Sequence, residues 1–174
     1  MSPSIAIFYG SSTGNTELAA NKINERLGSR VSRLDKIQDV DPEDLSKFDI
    51  LLLGVSTWNI GEMQDDWDEF IPRMKGLDLS GKKIGLFAMG DAAGYAYNFL
   101  DAMGQLWNVL KELGSPTLVG VWPVDDYDFE ESEGLYDDDN FVGLGLDEDN
   151  EPEKHDERID GWLTKVKAEC AIEG

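Results

Sequence analysis

Cysteine is nearly missing from this chain. Cys170 is the only one in 174 residues, so no internal disulfide staples the fold and a reducing, cytoplasm-like compartment fits. Long apolar runs are missing too. There is no stretch of about 18 consecutive apolar residues, which excludes a membrane-spanning helix. The start, Met1-Ser2-Pro3-Ser4, has no basic segment ahead of its first apolar run, so no export signal is read there. A plastid stroma is the alternative location if a transit peptide has been removed. Positive charge is scarce as well: 15 Lys and Arg stand against 36 Asp and Glu, for a net charge of −21. Between Lys111 and Lys154 there is no basic residue, while that interval carries 15 acids. Such a surface repels nucleic acid and anionic membranes. It attracts a basic protein partner, at a rate that falls as salt rises. Plain solubility, or adaptation to a salty habitat, is the other source of such charge. The lone His155 stands beside Asp156 and Glu157 at a helix start and reads as a surface residue.

Apolar content is ordinary at 41%. A chain of this length, read as one domain over 1–174, buries about 70% of its unfolded surface without help from disulfides or metals. A monomer is the simplest assembly, and no catalytic or metal-ligating set is read from the sequence.

Five apolar runs read as strands: Ile5–Tyr9, Val31–Leu34, Ile50–Gly54, Ile84–Met89 and Thr117–Trp122. They lack the polar alternation of a half-exposed sheet, as parallel strands covered on both faces do. Helical spacing fills the intervals. Ala19, Ile23 and Leu27 repeat every four residues; Trp67, Phe70, Ile71 and Met74 form a stripe that Pro72 interrupts. Phe99, Met103, Leu106, Leu110 and Leu113 form a third stripe, and Ile159, Trp162, Leu163, Val166 and Cys170 a fourth. Cys170 therefore reads as packing. Alternating strands and helices predict an α/β fold, a doubly wound parallel sheet with ligands beyond the carboxyl ends of its strands. The segment Pro123–Asn140 holds nine carboxylates in eighteen residues and is followed by another apolar run, Phe141–Leu146. Tyr127, Phe129, Leu135 and Tyr136 give it something to bury, so it reads as an ordered excursion that interrupts the fifth strand.

The chemistry is concentrated in three loops at strand ends. The first, Gly10-Ser11-Ser12-Thr13-Gly14-Asn15-Thr16, runs from a strand through glycines and hydroxyls straight into a helix. Backbone N–H groups, hydroxyls and a helix dipole then converge on one point, which makes an anion site. It contains no Lys or Arg. A Walker loop needs Gly-Lys-Ser/Thr, and a dinucleotide fingerprint needs Gly-x-Gly-x-x-Gly; neither fits. A phosphoacceptor receiver needs acids after the first strand, where Tyr9-Gly10 stands. A single terminal phosphate that stays bound, as on a mononucleotide, suits neutral donors. The second loop, Ser56-Thr57-Trp58-Asn59-Ile60-Gly61-Glu62, and the third, Gly90-Asp91-Ala92-Ala93-Gly94-Tyr95-Ala96-Tyr97-Asn98, each set an aromatic among small residues. Trp58 and Tyr95 lie outside the apolar stripes, and two such rings on neighbouring loops can face a flat heterocycle.

With these motifs, and with Phe141-Val142-Gly143-Leu144-Gly145-Leu146-Asp147, the chain resembles the flavodoxins over essentially its whole length. The interrupted fifth strand looks like the long-chain branch of that family. The resemblance implies a five-stranded sheet of order 2-1-3-4-5 with helices on both faces, and FMN as cofactor. Carried over position by position, it implies that Ser11, Ser12, Thr13, Asn15 and Thr16 hold the FMN phosphate, with Gly14 allowing close approach. Thr57, Asn98 and Asp147 would meet the ribityl chain. Trp58 and Tyr95 would sandwich the ring, and Asn59, Ile60 and Asp91 would offer backbone groups to its polar edge, within the Gly61 and Gly90 turns. The Asn59–Ile60 peptide is expected to turn so that a carbonyl accepts a hydrogen bond from the ring N5–H of half-reduced flavin. The chain departs from the family's glycine-aspartate-glutamine at Ala92, which removes a side-chain contact, and Tyr97 stands where a small charged residue is common.

The function so implied is a low-potential, one-electron carrier rather than an enzyme. Glu62, Asp65, Asp66 and Asp68 beside the Trp58 loop would orient the flavin edge toward a basic redox partner. By resemblance, that partner is ferredoxin–NADP reductase, photosystem I or a nitrogenase reductase. The rival is an FMN-dependent NAD(P)H:quinone reductase of the same fold, which the absence of an arginine cluster near the loops disfavours. A flavin-free interaction module is the other alternative.

Overall fold

The computed structural model describes residues 3–172; Met1 and Ser2, on which the reading of the leader rests, lie outside them. The chain forms β1 (Ile5–Tyr9), α1 (Asn15–Leu27), β2 (Val31–Lys36), β3 (Ile50–Trp58), β4 (Glu62–Met63), α2 (Asp65–Phe70), β5 (Lys83–Met89), α3 (Asp101–Leu110) and β6 (Thr117–Val119). It continues through β7 (Trp122–Pro123), β8 (Leu135–Asp137), β9 (Asn140–Phe141), β10 (Leu144–Leu146) and α4 (His155–Glu169).

The main sheet runs β2-β1-β3-β5-β10 with every neighbour parallel, and β6 also pairs with β5. This is the expected flavodoxin-like order, with the fifth position shared between two strands. β6 pairs with the first half of β5, Lys83–Gly85, and β10 with the second half, Phe87–Met89.

Both sheet faces are buried at the centre because β1, β3 and β5 are largely apolar at successive positions and the side chains alternate between faces; β2, at the sheet edge, is mostly polar and only partly buried. Ala6 and Phe8, Leu51, Leu53 and Val55, and Ile84, Leu86 and Ala88 face a core with Trp67, Phe70, Met103 and Leu106. Ile5, Ile7 and Tyr9, Ile50 and Leu52, and Phe87 and Met89 face the other core, with Ala19, Ile23, Leu27, Trp162 and Val166. The helical stripes of the sequence supply these partners. Cys170 closes the second core at 4% exposure, and burial pushes its thiol up to about 11.

Several boundaries differ from the sequence expectation. β3 continues past Gly54 to Trp58 because β4 turns back and pairs with its end, Thr57 opposite Met63. The Trp67–Met74 stripe is only partly α-helical: α2 stops at Phe70 and a 3-10 turn, Ile71–Met74, follows with Pro72 in it. The fifth strand leaves the sheet at Val119 rather than Trp122, at Gly120 with φ +74, and resumes at Leu144 rather than Phe141. Trp122 and Phe141 pair with each other in the excursion's own sheet, of order β7-β9-β8.

The excursion is ordered, as expected, by an aromatic cluster. Phe141 meets Tyr127 at 5.1 Å, Phe129 at 5.2 Å and Phe99 at 5.7 Å between ring centroids. The Tyr127 hydroxyl donates to the Gly145 carbonyl at 2.7 Å and accepts from the Trp122 indole at 2.9 Å. The Arg158 guanidinium covers the Tyr127 ring at 4.0 Å. Leu135 and Tyr136, expected to be buried, are exposed, since β8 is the outer strand of its small sheet.

His155 is a second correction: it is buried at 4% exposure. As the first residue of α4 it tucks under the chain leaving β10, with Nδ1 3.4 Å from Glu148 Oε2.

Candidate functional site

The chain leaves β1 toward β2 on one side, and β3 leads to the other half of the sheet. The crevice at the carboxyl ends of β1 and β3 is therefore the switch point at which open α/β sheets bind ligands. A cleft of about 220 Å³ opens there, lined by Thr13, Asn15, Thr16, Ser56, Thr57, Trp58, Asn59, Met89, Gly90, Asp91, Tyr95, Glu148 and Asp149. All three loops singled out in the sequence reach it.

The first loop ends in Gly14, at φ +92, which begins α1 with no side-chain hydrogen bond to the cap. A 13-residue helix thus starts with first-turn N–H groups that no side chain caps, beside the Thr13, Asn15 and Thr16 side chains. These are neutral donors at the positive end of a dipole. Ser11 Oγ accepts from Gly14 N at 3.0 Å and shapes the turn. Ser12 Oγ accepts from Gln64 Nε2 at 3.1 Å. Glu17, the acid of the first turn, takes a hydrogen bond from the Tyr9 hydroxyl at 3.1 Å.

On the cleft's other flank the Trp58 indole donates to Ser56 Oγ at 3.0 Å, which fixes the ring's orientation. Asn59 lies in the left-handed region at φ +47 and Gly61 at φ +85, so the Asn59–Gly61 turn reverses the chain into β4. Asn tolerates this conformation better than most residues. The Gly61 carbonyl accepts from Gln105 Nε2 at 2.9 Å, and the same amide nitrogen donates to Glu133 of the excursion at 3.0 Å. In the third loop Asp91 Oδ1 accepts from Gly94 N at 2.7 Å, a turn that presents Tyr95.

Not every sequence-derived candidate faces the cleft. Ile60 is exposed. Thr57 lines the cleft, but its hydroxyl accepts from Ala102 N at 3.0 Å; Asn98 is outside the lining, and its amide donates to Asp101 Oδ2 at 3.1 Å. Asp147 is fully buried. Its carboxylate accepts from Ala92 N at 3.0 Å and from the Asn150 side chain at 2.8 Å, so it organises the third loop. Ala92, the departure noted in the sequence, is thus held through its backbone, and Tyr97 points to solvent.

Ser56, Met89, Glu148 and Asp149 also line the cleft and were missed. Ser56 opens the second loop of the sequence but lies within β3, and Met89 ends β5; the sheet register that pairs them brings both to the cleft. Glu148 and Asp149 follow Asp147 directly and were legible as neighbours of a candidate. Burial, followed by the charges of Asp91, Asp147 and Glu148, holds the Asp149 carboxyl above its usual range. This wall of the cleft is electronegative.

The switch point brings together an uncapped helix start and two aromatics, with no Lys or Arg among the residues that line the cleft, features that suit a mononucleotide in an α/β protein. The family model described as flavodoxin matches residues 7–162. The chain is 46% identical over 169 residues to the flavodoxin of Klebsiella pneumoniae, covering 97% of this chain and 96% of that one. It is 44% identical over 165 residues to the flavodoxin of Synechocystis, covering 94% and 95%. Among solved structures, it is similar to Fusobacterium nucleatum flavodoxin bound to flavin mononucleotide, with a TM-score of 0.87 at 27% identity, covering 96% and 98% of the two chains. The chain belongs to the flavodoxin family. Flavodoxins are themselves among the folds from which the switch-point rule is drawn.

Proposed function

We propose that this single domain, residues 1–174, is a low-potential one-electron carrier that holds FMN non-covalently. It is an electron-transfer flavoprotein and not an enzyme. The observation that carries the reading is that one cleft is lined both by the uncapped, cation-free start of α1 and by Trp58 and Tyr95. The donor set fits the cofactor: neutral hydroxyls and amides for a phosphate that is never transferred, and two rings for an isoalloxazine.

In this reading Ser11, Ser12, Thr13, Gly14, Asn15 and Thr16 form the phosphate turn. Trp58 and Tyr95 cover the ring and exclude water. Asn59, Ile60, Gly61, Gly90 and Asp91 border its polar edge with backbone groups. Thr57, Asn98 and Asp147 serve the ribityl side chiefly by fixing the loops around it, as their hydrogen bonds indicate. Bound FMN supplies one-electron redox chemistry. The protein sets how costly an added negative charge is, and the carboxylates of Asp91, Glu148 and Asp149 raise that cost. For a one-electron couple, a tenfold weaker hold on the reduced form lowers the potential by about 59 mV.

Redox partner proteins follow from family membership. The acidic rim of Glu62, Asp65, Asp66 and Asp68 favours basic ones, with ferredoxin–NADP reductase, photosystem I and a nitrogenase reductase as the candidates. A monomer in the cytoplasm completes the reading. Among the described residues no helix is long and apolar enough to cross a membrane.

Titration of the flavin-free protein with FMN, followed by flavin fluorescence, tests the binding. Saturable quenching with one FMN per chain is expected, and unquenched fluorescence would contradict it. Rapid NAD(P)H oxidation by the pure protein with a quinone would overturn the carrier assignment.

A further inference from the structure

We propose that Gln64 is a positioning residue for the phosphate end of the cofactor, because it forces the Ser12 hydroxyl to act as a donor. The inference rests on the FMN reading above and adds a residue outside the loop to it. Gln64 precedes α2 and is 1% exposed. Its Oε1 accepts from Trp67 N at 3.2 Å, capping that helix, while its Nε2 donates to Asp66 Oδ2 at 2.9 Å and to Ser12 Oγ at 3.1 Å.

The amide's direction is fixed twice over. A backbone N–H can be met only by the amide oxygen, and a carboxylate only by the amide nitrogen. Ser12 Oγ must therefore accept from Gln64, and its own hydrogen is left for another acceptor. In an anion site with no Lys or Arg, that choice matters. A hydroxyl presenting its hydrogen attracts a phosphate, and one presenting its lone pairs repels it. Gly10 protects the arrangement, since a Cβ there would overlap Gln64 Oε1 and stand 2.8 Å from Trp67 Cδ1. The Gln64 backbone is held in turn by its N–H on the Ser56 carbonyl at 3.1 Å. The end of β3 thereby sets the polarity of the turn after β1.

The test compares FMN with riboflavin, which lacks the phosphate, as ligands of the flavin-free full chain. Gln64→Glu retains an oxygen for Trp67 N but presents an acceptor to Ser12, so the hydroxyl must turn its hydrogen inward. The expected result is a loss of FMN affinity on the order of 10- to 100-fold, the range for a hydrogen bond to a charged group, with riboflavin affinity unchanged. In a Ser12→Ala background the same substitution should change FMN affinity far less. Gln64→Met removes the amide without reversing it, and should lower the FMN-to-riboflavin ratio by less than Gln64→Glu does.

Equal losses for both ligands in both variants would show a purely structural role and overturn the proposal. A Gln64→Glu effect that persists undiminished in the Ser12→Ala background would reduce it to charge repulsion and also overturn it. Failure of the unaltered protein to bind FMN would overturn the FMN reading instead.

Discussion

The Tyr9 hydroxyl donates a hydrogen bond of 3.1 Å to the Glu17 carboxylate, joining the last residue of β1 to the first turn of α1. The acid nearest the phosphate turn is thereby held by a partner of its own. Tyr9→Phe should release it and weaken FMN binding several-fold, about 1 kcal/mol for one such bond. Glu17→Gln in the same chain should restore affinity, and fluorescence titration reads both.

Burial first, and Glu17 second, push the Tyr9 phenol up from 10.0 to about 12. A group whose proton is held more tightly in the folded state contributes stability in full below its unfolded value and loses it as pH rises through the folded one. Denaturation of the unaltered protein at increasing pH should therefore show a loss of stability between pH 10 and about 12. In Tyr9→Phe that loss should be smaller.

Asp149→Asn removes one of the carboxylates lining the cleft. Burial, followed by the like charges of Asp91, Asp147 and Glu148, holds this acid above its usual range, so the effect belongs to pH values at which it is ionised and its charge opposes reduction. The substitution should make the potential of the bound flavin less negative, by tens of millivolts if binding of the reduced form improves up to about tenfold. Spectroelectrochemistry measures it. An unchanged potential would remove Asp149 from the account of how the cofactor is tuned.

Gly61 sits at φ +85, and a Cβ on it would stand 2.7 Å from Asp101 Oδ2. Gly61→Ala should destabilise the protein by more than about 1 kcal/mol through backbone strain and this contact. Gln105→Leu, which cuts the tie between Gly61 and Glu133, should cost about 1 kcal/mol. It should also speed hydrogen exchange in the Asn59–Gly61 turn specifically. Chemical denaturation and exchange together separate the two effects.

Much of this was legible in the sequence because the signals were local. The Ile5–Tyr9 run, the Ala19–Leu27 stripe and the turn between them are set by contiguous residues, and the structure gives them the same bounds or nearly so. What failed depends on partners distant in sequence. Phe141 reads as sheet until one sees that Tyr127, Phe129 and Phe99 draw it into the excursion. His155 reads as surface among acids, yet the chain leaving β10 covers it. Gln64 carries no local signal at all, because its role arises only where the end of β3 brings α2 against the first loop.

The acidic rim beside Trp58 is where a basic partner would dock. Reversing charge at Asp65 and Asp68, which unlike Asp66 hold no part of the Gln64 arrangement, should slow reduction by a basic reductase chiefly at low ionic strength, as screening removes the effect at high salt. Stopped-flow rates across a salt series measure this. An unchanged rate at low salt would exclude steering by these two residues.

In the proposed function the cleft between α1 and the Trp58 and Tyr95 loops runs one-electron chemistry on FMN. Stepwise reduction of the FMN-loaded protein under anaerobic conditions, followed by absorption, tests it most directly. A distinct blue species with its own long-wavelength band, rising to a maximum at half reduction and then decaying, is the predicted result. Direct bleaching from the yellow oxidised form to the fully reduced form, with no such species at any point, would contradict it.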